Sequence, residues 1–513
     1  MIVIYHSKNR VVEVKNSNNQ NLSFNFKSSV AENMNNLARQ FPDMKIVWCD
    51  FIFKNDLNIT KIDSFFHHHK MMMSYQPSNS NFLGENLGFF DESLFVNVNK
   101  SVTFPTWQMS SAVGVIHSSI LNLVINKIPF DNNFDYYLNS FAKLAMPMGL
   151  FCYSEPKLLK TITFQQNNIA SSYLLFKFIK QHYRTRWLFI FLLNLSLYKK
   201  TFPIFPFCAS FIFKKRNNNE INFNSLEIQS SKRLISKKTL DVIIPTIGRK
   251  SYVHNVLKDF SKQTFLPNKI IIVEQNPQKN STSELDFIKN ESWPFEIEHC
   301  FIHRPGACNA RNLALSKTES EWVFLADDDN RFSSNLLEDV FKCIIKYGSP
   351  IVTPFYPKKN EAKTCFHAIQ SSFFSGGNSF VKREFLEKVR FNISLEFGYG
   401  EDNDFGMQLR NLGCDVIYLP DPTILHLHAP IGGFRIKTEH IWNNEIVQPK
   451  PSPTVMLSII LHKTKQQLLS YKTILFFKYY RLQKIKNPIR YYFNFQKQWN
   501  SSLYWANILN EKK

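Results

Sequence analysis

Between residues 239 and 435, continuous apolar runs alternate with segments of helical spacing. The apolar runs "LDVIIPTI", "KIIIVEQN" and "EWVFLADDDN" are typical of buried parallel strands. The segments "SYVHNVLKDFSKQ" and "GACNARNLALSKT" lie between them and have the spacing of helices. This alternation predicts an open α/β sheet. Because ligands bind outside the carboxyl ends of the strands in such sheets, functional side chains are expected there.

The segments on either side of this sheet show different patterns. In residues 1–235, "IVIY" and "KIVWCD" predict strands and "VAENMNNLARQF" predicts a helix, so we expect an N-terminal α/β domain. In residues 451–513, apolar side chains recur at spacings of three and four with basic residues between them, which predicts amphipathic helices. We therefore expect three parts, at residues 1–235, 236–450 and 451–513.

Positive charge is concentrated in two segments of the chain. The 62 Lys and Arg residues exceed the 41 Asp and Glu residues and give a formal net charge of +21. Residues 151–240 hold 15 basic and 3 acidic side chains, and residues 454–513 hold 11 and 1. Both segments mix aromatic residues with Lys and Arg, so our preferred hypothesis is contact with an anionic membrane surface. Solvated basic faces are the alternative, and nucleic acid is not expected as a partner.

Targeting signals and cysteine usage indicate the compartment. The first residues, "MIVIYHSKNR", lack the charged and apolar regions of a signal peptide. The most apolar run, Trp187–Tyr198, is shorter than the ~20 residues that span a bilayer. The eight cysteines form no CxxC pair, which fits a reducing environment. We expect a cytoplasmic protein, peripheral at the inner face of the cytoplasmic membrane.

Three consecutive acids, Asp327, Asp328 and Asp329, follow the third apolar run. Side chains alternate along a strand, so Asp327 and Asp329 can face one way while Asp328 faces the other. Clustered carboxylates repel one another unless a cation neutralises them, and Mg²⁺ and Mn²⁺ prefer oxygen ligands. A solvated acidic loop or a helix cap is the alternative interpretation. The position at a strand end favours a metal and phosphate site.

A second acidic segment, Phe397–Gly413, reads "FGYGEDNDFGMQLRNLG". The chain has only 15 glycines, yet eight of them lie between Gly376 and Gly433, which indicates special backbone geometry in that stretch. Glu401 and Asp402 open a predicted helix, and capping of that helix is the simple alternative. A carboxylate close to phosphates and other acids can have a raised pKa suited to general-base work.

Further along, "HLHAPIGGFR" contains His426 and His428, which point the same way if the segment is extended. One of the two is a candidate metal ligand. The choice between them stays open at this point.

These motifs together resemble the family 2 glycosyltransferases of the GT-A fold, in particular bacterial enzymes that build surface polysaccharides. The match covers residues 239–435 and consists of seven motifs in order: "VIIPTIGR", "IIIVEQN", "RPGACNARNLAL", "FLADDDN", "FSGGNSFVKREFL", "GYGEDNDFG" and "HLHAPIGGFR". The resemblance implies a nucleotide-diphospho-sugar transferase fold, a mixed open sheet with flanking helices. The N-terminal α/β domain and the helical C-terminal segment are additional to it.

The resemblance also implies roles for particular residues. The residues implied on the nucleotide are Pro245, Thr246, Arg249, Glu274, Arg311 and Asp328. The implied metal ligands are Asp327, Asp329 and His426, with His428 as the competing choice. The implied acceptor-binding turn is Gly376, Gly377 and Asn378. Asp402 is the implied catalytic base, with Glu401 beside it.

The implied activity is inverting transfer of a sugar from a nucleotide-diphosphate donor. The expected cofactor is Mn²⁺ or Mg²⁺, and the expected acceptor is a glycan or a lipid-linked glycan. A sugar nucleotidyltransferase is the alternative enzyme, but such enzymes have a Gly-rich phosphate loop, and "PTIGRKSYV" contains only Gly248. A non-catalytic basic protein that binds membranes or nucleic acid is the alternative outside enzymes.

The role of residues 1–235 is harder to infer. The segment "SSAVGVIHSSIL" faintly resembles "SGGNSFVKREFL", so a degenerate second GT-A-like domain is one interpretation. No counterpart of the DxD or Glu-Asp motif is visible in these residues. We therefore expect docking or acceptor recognition there, and no catalysis.

Overall fold

A computed structural model of the chain describes residues 1–78, 80–161, 169–429 and 439–511. The chain divides into two compact units. We call Met1–Ser231 with Thr464–Leu475 the N-terminal unit, and Lys232–Lys463 with Phe476–Lys513 the C-terminal unit.

The N-terminal unit is built on a mixed seven-stranded sheet. Its strands are β1 (Ile2–Ser7), β2 (Arg10–Asn16), β3 (Lys45–Asp50), β4 (Met71–Tyr75), β5 (Phe104–Pro105), β6 (Val113–His117) and β7 (Phe151–Ser154). Its helices are α1 (Val30–Gln40), α2 (Ile62–Phe65), α3 (Ser118–Val124), α4 (Phe134–Ala145), α5 (Ser172–His182), α6 (Arg186–Asn194) and α7 (Ile204–Ser210). The strand order is β2-β1-β3-β6-β4-β7-β5. Strands β1 and β3 are parallel, as are β4 and β7, and the other neighbours are antiparallel.

The C-terminal unit contains a larger mixed sheet. Its strands are β8 (Leu240–Ile247), β9 (Lys269–Gln275), β10 (Glu296–Ile302), β11 (Trp322–Ala326), β12 (Asn330–Arg331), β13 (Ile351–Phe355), β14 (Ile369–Gln370), β15 (Asn378–Lys382), β16 (Val416–Thr423) and β17 (Leu425–His426). Its helices are α8 (Lys250–Ser261), α9 (Phe287–Asn290), α10 (Ala307–Leu315), α11 (Leu336–Tyr347), α12 (Arg383–Leu386) and α13 (Glu401–Asn411). Three helices follow along the chain, α14 (Pro453–His462), α15 (Lys465–Leu482) and α16 (Pro488–Glu511).

Eight strands of this unit form one sheet in the order β10-β9-β8-β11-β15-β13-β16-β14, and β12 pairs with β17 separately. The first four are parallel, β15 is antiparallel to both of its neighbours, and β13 and β16 are parallel. Every residue of β9 and β11 is buried, which is why both strands read as continuous apolar runs. The mixed α/β fold with a helical C-terminal region confirms the fold class expected from the sequence.

Helix α14 packs against the beginning of α13. A Cβ atom on Gly398 would lie 2.4 Å from the side chain of Thr454, so only glycine allows this approach. The buried side chains of Asp404 and His462 are joined by a hydrogen bond of 2.7 Å between Oδ1 and Nε2. These contacts fix the helix that carries the Glu-Asp pair.

A transmembrane helix needs about 20 consecutive, predominantly apolar residues. Within the described residues, no helix combines the length and the apolar content needed to cross a membrane.

Candidate active site

A cleft of about 630 Å³ opens at the carboxyl ends of β8 and β11. It is lined by the acid triplet that follows β11, by both acids at the start of α13 and by the two histidines that flank Leu427. These groups come from distant parts of the chain, and the sheet brings them to one edge, as expected for an open α/β fold.

The middle acid of the triplet connects the β11 end to the loop after β8. Asp328 accepts hydrogen bonds from Thr246 Oγ1 at 2.6 Å and from Arg249 Nη1 at 2.5 Å. The side chain is completely buried. This burial raises the pKa of Asp328 to about 6, although Arg249 and Thr246 oppose the shift. Asp328 therefore holds Thr246, near the end of β8, and Arg249, just after that strand, in place.

The two outer acids of the triplet meet a histidine from another segment. Pairing of β12 with β17 sets Asn330 opposite His426, which brings the imidazole to the acids. The Nε2 atom of His426 lies 3.4 Å from Oδ2 of Asp329. One ligand atom from each of Asp327, Asp329 and His426 fits within a span of 4.8 Å. His428 also lines the cleft but is not in this cluster.

Two observations on Asp329 bear on a metal ion. Burial alone would raise its pKa, yet the hydrogen bonds from His426 and from the Ala429 N–H lower it to about 2, so the group is ionised. Its Oδ1 atom is buried and has no hydrogen-bond partner among the described residues. A buried, charged oxygen without a partner is costly unless a cation binds it. The two carboxylates and the imidazole therefore fit a divalent metal ion.

Arg311 links the acid triplet to the Glu-Asp helix. It extends from α10, and its Nη2 atom lies 3.1 Å from Oδ1 of Asp327. Its Nη1 atom lies 3.9 Å from Oδ1 of Asp402. The guanidinium group is buried and also stacks over the ring of Phe391 at 5.3 Å. The positive charge between the two carboxylates lowers their mutual repulsion.

The Glu-Asp pair begins α13 after a tight turn. Gly400 has a φ of 118°, a conformation that favours glycine. Burial, with the Asp402 carboxylate next to it, raises the pKa of Glu401 to about 7. Burial also raises the pKa of Asp402, although Arg311 and the backbone N–H of Gly376 oppose the shift. A carboxylate with a raised pKa is suited to accept a proton near neutral pH.

Some predicted site residues do not line the cleft. Glu274 is bound by Ser283 Oγ at 2.5 Å and by the Glu284 N–H at 2.9 Å. Asn378 is buried and donates from Nδ2 to the carbonyl of Pro354 at 2.6 Å. Gly376 lies behind the cleft wall, against Asp402 and Arg311. The predicted residues that do line the cleft are Pro245, Thr246, Arg249, Arg311, Asp327, Asp328, Asp329, Gly377, Glu401, Asp402 and His426.

Among the cleft residues that the sequence did not indicate, Tyr356 and Glu396 make specific polar contacts. The hydroxyl of Tyr356 donates to Asn330 Oδ1 at 2.5 Å and lies 3.4 Å from Asp327 Oδ2, and its ring stacks on His426 at 4.6 Å. Tyr356 directly follows β13, so its place at a strand end was the available signal. Glu396 accepts the backbone N–H groups of residues 308 and 309 at the start of α10, and no motif indicated it.

The mixed sheet and the acidic cleft at its edge have the arrangement that the sequence resemblance implied. Residues 241–399 match the family described as glycosyl transferase family 2. This segment of the chain is therefore similar to family 2 glycosyltransferases. This match confirms the family resemblance and the enzyme class expected from the sequence.

Similar proteins include two glycosyltransferases of Streptococcus pneumoniae serotype 4. GlyG is 21% identical over 236 residues, which are 41% of this chain and 77% of GlyG. GlyA is 21% identical over 267 residues, which are 46% of this chain but only 37% of GlyA. Among solved structures, S. aureus TarS 1–349 in complex with UDP-GlcNAc is 16% identical, with a TM-score of 0.33. That likeness covers 46% of this chain and 70% of TarS 1–349.

The Gly377→Ala variant tests how tightly the cleft is assembled. A Cβ at residue 377 would lie 2.2 Å from Oδ2 of Asp327, so the acid must move. We expect nucleotide-sugar turnover to fall about 100-fold, since a displacement of about 1 Å in a catalytic site has that effect. Lys382→Ala, at the other end of β15, is the matched control. Wild-type turnover by folded Gly377→Ala would contradict this geometry.

Proposed function

We propose that this protein is an inverting, metal-dependent glycosyltransferase. It moves a sugar from a nucleotide-diphosphate donor to a glycan or lipid-linked acceptor in surface polysaccharide biosynthesis. One observation carries the proposal: within a family 2 domain, the acid triplet, His426 and the Glu-Asp helix converge on a single cleft.

Asp327, Asp329 and His426 are the residues that would hold the metal, Mn²⁺ or Mg²⁺. The unpartnered buried Oδ1 atom of Asp329 supports this assignment. When bound, such an ion neutralises the negative charge that develops on the leaving diphosphate. Tyr356 would orient the site from the side, because it contacts both Asp327 and His426.

The nucleotide would bind along the carboxyl ends of β8 and β9. Pro245, Thr246 and Arg249 line this part of the cleft. Asp328 would act here by holding Thr246 and Arg249 in place. Glu274 lies behind the cleft wall, and its carboxylate already accepts hydrogen bonds from its neighbours. It would therefore support the nucleotide site indirectly.

Asp402 would remove the proton from the acceptor hydroxyl as that oxygen attacks the anomeric carbon. Its side chain is 36% exposed, so a substrate can reach it. Attack from the face opposite the leaving diphosphate inverts the anomeric configuration. Gly376 and Gly377 have no side chains, so the carboxylates of Asp402 and Asp327 can lie against this turn. The turn supports the arrangement in this way. Glu401 would tune the pKa of the base through its own charge.

Contact with an anionic membrane is the second part of the proposal. We define the aromatic-basic face as residues 184–215 of the N-terminal unit. Large apolar side chains are exposed there: Phe189, Leu197, Phe202, Ile204, Phe205, Phe211 and Ile212. Exposed basic residues lie among them: Arg184, Arg186, Lys199, Lys200, Lys214 and Lys215. No Asp or Glu occurs between Glu155 and Glu220, so this composition supports anionic lipid over protein or water as the neighbour.

Substitution of one metal ligand and of the base tests the catalytic assignment. We expect Asp402→Asn to lower turnover by about 100-fold or more, because a general base contributes 10²–10⁴. Asp329→Ala should raise the Mn²⁺ concentration needed for half-maximal turnover. Asp421→Asn is the control, since this acid is exposed and pairs with Lys363. Wild-type metal-dependent turnover in both site variants would refute the assignment.

The pH dependence of transfer tests the Glu-Asp pair. The base acts when deprotonated, so turnover should fall as the pH is lowered through the raised pKa of Asp402. Glu401→Gln removes a negative neighbour of Asp402, which lowers the pKa of the base. The acid limb of the kcat profile should therefore move to lower pH in this variant. An acid limb at the wild-type pH in Glu401→Gln would show that the charge of Glu401 does not affect the pKa of Asp402.

Membrane contact is tested by flotation with liposomes of phosphatidylglycerol or of phosphatidylcholine alone. We expect the protein to float with the anionic liposomes only, and the Phe202→Ser/Phe205→Ser double variant to lose most of this binding. Phe366→Ser is the matched control, because Phe366 is 73% exposed and lies outside the aromatic-basic face. Equal binding to both lipids, or equal loss in the control, would contradict the proposal.

A further inference from the structure

The two sheets of this chain share a strand order. In the N-terminal unit six neighbouring strands run β1-β3-β6-β4-β7-β5, and in the C-terminal unit six run β8-β11-β15-β13-β16-β14. Position by position, each neighbouring pair has the same sense, parallel or antiparallel, in both sheets. The six strands also follow one another along the chain in the same sequence. An α/β sheet has many alternative topologies, so this agreement indicates one fold used twice.

The ladders give a residue-by-residue alignment. Strands β3 and β6 pair from Lys45↔His117 to Cys49↔Val113, and β11 and β15 pair from Trp322↔Lys382 to Ala326↔Asn378. One step beyond each ladder, Asp50 therefore corresponds to Asp327. The backbone hydrogen bonds agree: Asp50 N–H donates to the carbonyl of residue 112, and Asp327 N–H donates to that of residue 377.

The helix before the central strand also corresponds in the two units. Helix α1 contains "NMNNLA" at residues 33–38, and α10 contains "NARNLA" at residues 309–314. In this alignment Asn35 takes the place of Arg311. Asn35 Nδ2 donates to the hydroxyl of Tyr137 on α4, at 3.1 Å, just as Arg311 reaches across to Asp402 on α13.

The proposed catalytic base, Asp402, has a counterpart as well. Asp135 lies in the first turn of α4, as Asp402 lies in the first turn of α13. Asp135 accepts from the backbone N–H of Ser111 at 2.8 Å and from its Oγ at 2.9 Å. By the ladder alignment Ser111 corresponds to Gly376, whose N–H interacts with Asp402. In both units, therefore, the aspartate in the first turn of the helix interacts with the backbone N–H at the corresponding position.

The nucleotide half of the fold is missing from the N-terminal unit. Between β8 and α10 the C-terminal unit has α8, β9, α9 and β10, whereas only the hairpin strand β2 lies between β1 and α1. The acids Asp328 and Asp329 correspond to Phe51 and Ile52, both of which are exposed. Neither hydrophobic side chain can bind a metal ion or hold a phosphate-binding arginine.

We infer that the N-terminal unit is a second GT-A-type unit that has lost its nucleotide half and keeps Asp135 as a structural remnant of the catalytic base. The chain then has one nucleotide site and one catalytic base, both in the C-terminal unit. This inference rests on the function proposed above for the C-terminal cleft.

Identical substitutions at the two corresponding acids test the inference. Asp135→Asn is expected to lower the midpoint of thermal unfolding while kcat and KM stay within two-fold of the wild type, because the acid only holds Ser111. Asp402→Asn is expected to lower kcat at least 100-fold without lowering the unfolding midpoint. If Asp135→Asn does not fold, Ser111→Ala removes one of the two hydrogen bonds and gives a milder version. A ten-fold loss of kcat in folded Asp135→Asn or Ser111→Ala would overturn the inference.

Nucleotide stoichiometry gives a second readout. Titration of the full chain with UDP, GDP, CDP and dTDP, each with Mn²⁺, is expected to show one site per chain, lost in Asp329→Ala. A second site that survives Asp329→Ala would overturn the inference. If no diphosphate binds and no nucleotide sugar is turned over, the proposed function fails instead. The contrast in unfolding midpoints between Asp135→Asn and Asp402→Asn still decides the inference in that case.

Discussion

The buried guanidinium group of Arg311 is the interaction on which the cleft depends. It lies between Asp327 of the acid triplet and Asp402 of the Glu-Asp helix, and nearby carboxylates raise its own pKa further. Without this charge the two carboxylates would face each other at close range in a partly buried site, where repulsion is strong. Removing one partner of such a network leaves charges uncompensated, so the arginine determines whether both acidic segments can occupy one cleft.

The second constraint is backbone packing around the same helix. The first turn of α13 must approach both the wall at Gly376 and the helix α14, so glycine is needed on each side. Asp404, two residues after Asp402, is anchored by His462 of α14. Helix α14, which follows residues 241–399 in the chain, therefore holds α13 and the Glu-Asp pair in position.

Sequence patterns predicted the parts of this structure that depend on local composition. The buried strands β8, β9 and β11 read as apolar runs because both of their faces are covered, and the acid triplet stood out because it follows such a strand. Contacts made by single residues across long separations left no pattern. Tyr356, Glu396 and the pair formed by Asp404 and His462 are of this kind, since each partner looks ordinary in its own segment.

The N-terminal unit shows even more clearly that contacts between distant residues leave no pattern in the sequence. Asp135 is followed by two tyrosines and has no flanking glycines, so nothing in its segment resembles "GYGEDNDFG". Its correspondence to Asp402 appears only when the strand ladders set the alignment, because topology and register are preserved after motif residues have changed. The faint likeness between "SSAVGVIHSSIL" and "SGGNSFVKREFL" falls on β6 and β15, which the ladders align without any shift.

The residues that line the cleft carry more negative than positive charge. Six carboxylates line the cleft, and the cations among its described lining residues are Arg249 and Arg311. Both arginines already contact acids, at Asp328 and at Asp327, while the two basic segments of the chain contribute nothing to this lining. A donor diphosphate would add further negative charge to a cleft that already has an excess of it. We therefore expect donor binding to depend on a cation from solution, and we propose the buried Oδ1 atom of Asp329, which has no hydrogen-bond partner among the described residues, as one of its ligands.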